Sequence, residues 1–78
     1  MKMKEIVAEA RAWYDARVER DRAEYFAAFD RAAEMVLGGT PRPVVVEALS
    51  PWGCSISTSN GVQAGTLAAV RAVREGVA

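Results

Sequence analysis

From Lys2 to Leu37 the chain contains neither glycine nor proline, and so long a stretch without a helix breaker limits what it can become more than any other feature. Alanine is abundant and most other residues are good helix formers, so the segment 2–37 is expected to be one helix. Its large apolar residues recur at Met3, Val7, Tyr14, Val18, Tyr25, Phe29 and Val36, with steps of four and seven. The sum is an eleven-residue repeat. Such a repeat corresponds to ~3.67 residues per turn, so the stripe stays nearly straight along the helix. Ile6, Ala10, Trp13, Ala28 and Ala32 widen it, and Arg17 and Asp21 interrupt it near the centre.

At 1.5 Å per residue this helix would span roughly 54 Å, whereas a compact domain of this size is about 30 Å across. One chain cannot cover it. Either the helix breaks near the polar stretch 19–22, "ERDR", or its far end packs on a second copy or on a different protein. The expected arrangement is a helix-to-helix contact holding Met3, Tyr14, Tyr25 and Phe29, most simply in an antiparallel homodimer. The other faces carry Arg11/Asp15, Arg17/Asp21 and Arg20/Glu24 at i,i+4 spacing, as a solvated helix surface does. "GGTPRP", residues 38–43, ends the helix: a glycine takes the left-handed cap, and Pro41 and Pro43 prevent continuation.

The second half reads differently. "PVVVEALS", 43–50, has three consecutive valines and the character of a strand, and "CSISTS", 54–59, alternates enough to pair with it. "SPWG" between them is a turn, in which Pro51 presets φ and Gly53 accepts a conformation other residues avoid. Asn60–Gly61 is either a second hairpin turn into a short strand at 62–65, with Thr66 capping the last helix, or the start of that helix with Asn60 as cap. The last helix, 66–77, aligns Val70, Val73 and Val77 on one side. The expected fold class is α+β, with a long N-terminal helix, a small antiparallel hairpin or meander and a short C-terminal helix, in the order α-β-β-(β)-α, as one domain over 1–78.

Composition narrows the function. Hydrophobic residues make up 51% of the chain and charged residues 26%, which is enough apolar surface to fold. Ten basic residues balance ten acidic ones, so no overall charge draws the chain to nucleic acid or to an anionic membrane. No run approaches the roughly 18 apolar residues of a membrane span, and "MKMKEIVAEARAW" lacks the apolar core of a signal peptide. One cysteine, Cys54, makes no internal disulfide, and the expected location is the cytoplasm. There is no histidine, which removes Ser-His-Asp and Cys-His catalysis and imidazole metal sites. Phosphate-cradling glycine motifs are missing as well. The chain is therefore expected to be no enzyme and to need no cofactor or metal.

Binding is what remains. Trp52 at the tip of a turn, the aromatic residues Tyr14, Tyr25 and Phe29 on the long helix, and Arg42 between two prolines are the candidate partner-binding residues. The expected function is a small protein–protein interaction protein, similar in general build to phage or mobile-element inhibitors of host complexes such as anti-CRISPR proteins. The alternative is a nucleic-acid-binding module using Arg42, Arg71 and Arg74. The α-β-β-β-α order resembles that of the double-stranded-RNA-binding domain, which presents a lysine cluster at the start of its last helix; here the equivalent stretch, "AGTLAAV", has none.

Overall fold

The computed structural model describes residues 2–76. It holds three helices, α1 (Met3–Leu37), α2 (Arg42–Leu49) and α3 (Ile56–Glu75), and among the described residues no strand. The expected α+β fold is thereby corrected to an all-α one, and with it falls the resemblance in element order to the double-stranded-RNA-binding domain. Of the valines expected to line the last helix, Val77 lies outside the described residues.

Helix α1 runs unbroken through residues 19–22. Its C-terminus closes as a Schellman motif: Thr40 N–H donates to the Met35 carbonyl and Gly39 N–H to that of Val36, each at 3.0 Å, with Gly39 at φ 103°. Pro41 then sits just past the cap. The valine run that follows is helical, contrary to the strand expected at 43–50. Two local reasons suffice. Pro43 occupies the first turn of α2, where a missing N–H costs nothing, and Val45, Val46 and Leu49 fall at helical spacing on the side packed into the core. The slight preference of valine for strands, a few tenths of a kcal/mol, is outweighed by burying that face.

The expected strand at 54–59 is instead the end of a turn and the start of α3. Cys54 N–H donates to the Pro51 carbonyl at 3.0 Å, with Gly53 at φ 89° in the third position. Ser55 is the N-cap of α3, its Oγ accepting from Thr58 N–H at 3.0 Å. The Ser55 hydroxyl also donates to Glu24 Oε2 at 2.8 Å, which ties the start of α3 to the middle of α1. Residues 62–65, expected as a third strand, and both proposed caps, Asn60 and Thr66, lie inside α3.

What places α3 is a stripe of small residues. Gly61, Val62, Gly65, Thr66 and Ala69 are its buried positions, and the two glycines lie directly on the backbone of α1. A Cβ on Gly65 would stand 2.9 Å from Phe29 Cα, and one on Gly61 would stand 3.0 Å from Ala28 Cβ; each would also collide with a carbonyl oxygen, of Phe29 and Tyr25 respectively. Because Gly61 meets Tyr25 and Ala28 while Gly65 meets Phe29, the two helices run parallel. Helix α2 returns across them and closes the core, in which Ala32, Val45 and Val62 are fully buried and Ala28, Met35, Val36, Val46 and Leu49 pack around.

The molecule is long and thin, 58 × 28 × 12 Å, with a radius of gyration of 17.1 Å, against about 12 Å for a compact chain of this length. Helix α3 reaches only the C-terminal half of α1. Adding one methyl group at the contact should therefore disrupt the fold. Gly65→Ala is expected to lower unfolding free energy in urea by about 1–3 kcal/mol, even after the roughly 1 kcal/mol that alanine gains over glycine in a helix. An unchanged or raised midpoint would contradict the close contact.

Candidate functional site

Exposed apolar side chains occur on all three helices and on the turn before α3, and two groups of them hold candidate residues. The first is the N-terminal half of α1, where every residue from Lys2 to Arg17 is exposed. Tyr14 is 63% exposed and Trp13 64%, and Met3, Ile6 and Val7 are also open. Arg17 stands over the Trp13 ring, its guanidinium carbon 5.6 Å from the ring centroid, a cation–π contact that covers one ring face without burying it. Between Met3, Val7 and Arg11 a shallow groove runs along the helix, bordered by Lys4 and Asp15.

The second surface is the turn between α2 and α3. Trp52 at its tip is fully exposed, and Ile56, one helical step beyond the Ser55 cap, is 80% exposed. The turn is held on both sides: before it Ser50 N–H donates to the Val46 carbonyl at 3.0 Å, within it Cys54 bonds to Pro51, and after it Ser55 bonds to Glu24 and Thr58. An indole in open water on a braced turn is unusual for a side chain of this size. Cys54 is half-buried and unpaired.

The five residues expected to bind partners are distributed unevenly. Trp52 and Tyr14 are exposed, on different elements. Tyr25 and Phe29 are half-buried, and their backbones carry the α1–α3 contact; the helix-to-helix contact expected of them is made within the chain. Their rings lie 6.3 Å apart, and Tyr25 packs edge-on to Phe26 at 5.3 Å.

Arg42 is bound into the fold. Its Nη2 donates to Gln63 Oε1 at 2.6 Å and its Nε to Thr66 Oγ1 at 3.1 Å, so one guanidinium spans a full turn of α3 from the first residue of α2. Thr66 is completely buried and its hydroxyl in turn donates to the Gln63 carbonyl at 2.9 Å. This arrangement satisfies the polar atoms that would otherwise be stranded beneath α2. It also withdraws Arg42 from the trio Arg42, Arg71 and Arg74 that a nucleic-acid surface would use.

Sequence reasoning passed over Ile56, the Ser55 cap and the glycine pair. The last two had a signal: Ser55 stands three residues before Thr58, and Gly61 and Gly65 are spaced by four in "NGVQAG". Among the described residues no group of three or more His, Cys, Asp or Glu is placed to hold a metal ion, and no helix is long and apolar enough to cross a membrane. Comparison with protein-family models, with curated proteins and with solved structures finds no match.

The role of Arg42 can be measured. Arg42→Ala is expected to lower stability by about 1.5–3 kcal/mol, since it strips a charged donor from two acceptors. Arg42→Lys should recover less than half of this, because an ammonium cannot reproduce the planar fork. Equal stability of all three proteins in urea would return Arg42 to the surface.

Proposed function

We propose that this is a small non-enzymatic protein that acts by binding another protein, with Trp52 as the anchor of the contact. The observation that carries the reading is the full exposure of Trp52 on a braced turn, with Ile56 also exposed four residues on. Such a pair leaves apolar area in water until a partner covers it. Tryptophan is also the residue most enriched among those that dominate binding energy. The hydrogen bonds on either side of the turn fix the backbone before binding, so little conformational entropy is lost in forming the complex.

In this reading the protein works in the cytoplasm by occupying a surface of a larger partner, as small phage-encoded inhibitors do. The partner's complementary feature is an apolar pocket wide enough for an indole. The nucleic-acid alternative loses its support, since the sheet it relied on is absent among the described residues and Arg42 is engaged with α3.

Trp52→Ala should leave stability within about 0.5 kcal/mol of the parent, as for other exposed sites. Affinity for a protein captured by the parent chain should fall by about 2 kcal/mol or more, and Trp52→Ala with Ile56→Ala should abolish capture. A lowered melting temperature with capture unchanged would place the indole in the fold and end this reading.

A further inference from the structure

The apolar stripe on α1 runs the length of the helix, with Arg11 and Asp21 the charged residues inside its arc and Arg17 at its edge, and α3 covers only part of it. At 100° per residue, Met3, Val7, Tyr14 and Val18 fall within the same arc of about 80° as Tyr25, Phe29, Ala32 and Val36. From the middle of α1 onward this face is taken by α3, whose start is pinned to Glu24. Val18 is half-buried; every residue from Lys2 to Arg17 is exposed. About 22 Å of seam, from Met3 to Val18, is thus left without a neighbour.

We propose that a second copy of this chain covers it, its α1 antiparallel to the first and centred on Ala10 and Arg11. The fold itself selects the direction. In a parallel pair the two seams would continue toward each other beyond Val18, where each already holds an α3, and the two α3 helices would claim one space. In the antiparallel pair the partner helix reaches its own Met3 where α3 begins, and the rest of the partner lies beyond the free end of α1. Each copy covers the stretch of stripe that its partner's α3 leaves open.

The side chains agree with this register. Met3 meets the partner's Val18 and Val7 meets the partner's Tyr14, and the two-fold axis repeats both contacts. An antiparallel pair brings like flank to like flank. On one flank Lys4 comes beside the partner's Asp15, opposite charges that meet twice; on the other Ile6 comes beside the partner's Trp13, an apolar pair that also occurs twice. Arg11 lies on the Lys4 and Asp15 flank and comes beside the partner's Arg11 at the two-fold axis, each with its own Asp15 one turn along, while Ala10 on the opposite flank comes beside the partner's Ala10. The seam is built from α1 alone, so the proposal does not rest on the reading for Trp52, which lies on the turn before α3.

Sedimentation equilibrium of the full chain should return twice its 8.4 kDa mass. Tyr14→Glu should raise the dimer dissociation constant at least about tenfold, while Arg74→Ala, in the last turn of α3, should leave it unchanged. Register is read in a Cys54→Ser background by oxidising a mixture of Met3→Cys and Val18→Cys chains. A mixed disulfide is expected, with none from Met3→Cys alone. Self-linking of Met3→Cys would mean a parallel pair and overturn the proposal. So would a single 8.4 kDa species at high micromolar concentration, which would leave the seam to a foreign helix without affecting the Trp52 experiment.

Discussion

The fold depends on two glycines of α3 lying against the backbone of α1. Gly61 and Gly65 have no side chain to hold the helices apart, so α3 seats on the carbonyls of Tyr25 and Phe29. Glycine inside a helix costs about 1 kcal/mol relative to alanine, and two of them in one twenty-residue helix would be a liability if α3 stood alone. The cost is offset by tertiary contact. Close approach buries Val62, between the glycines, and Ala69, one turn beyond them, and Val45 of α2 joins Val62 and Ala32 in the core.

The same contact explains the shape. A parallel neighbour to α1 requires a connection that travels back along it, and here α2 with its flanking turns makes that return. Arg42 fastens the return at one end and the Ser55–Glu24 hydrogen bond at the other. Once α3 is anchored at Glu24 it cannot reach the N-terminal half of α1, so one stripe acquires two environments: a packed half and an open half. The two surfaces proposed for binding lie on either side of that division, one on the open half and the other on the turn that precedes α3.

Much of α1 was legible from residue types alone, because a stretch free of glycine and proline, ended by Gly38, Gly39 and Pro41, has few alternatives to a helix. The exposure of Trp52 was legible in part, as an aromatic residue between Pro51 and Gly53. The second half misled for identifiable reasons. Three valines carry a strand signal only while their surroundings are unknown; Val45, Val46 and Leu49 also have helical spacing, and burial decided between the two. Asn60–Gly61 has the chemistry of a hairpin turn, and only the spacing to Gly65 and Ala69 reveals a packing face. The clamp made by Arg42 was beyond reach of local reasoning, since its acceptors lie 21 and 24 residues away and become neighbours only after α2 folds over α3.

The central claim is the direct backbone contact between parallel α1 and α3, and nuclear Overhauser effects observe it without mutation. The account predicts strong cross-peaks from the Gly65 Hα protons to Phe29 Hα and from the Gly61 Hα protons to the Ala28 methyl group, with sequential amide–amide effects running through 44–49 and 57–75. Cross-strand Hα–Hα effects between 44–49 and 54–59, or the absence of any effect from Gly61 and Gly65 to α1, would contradict it.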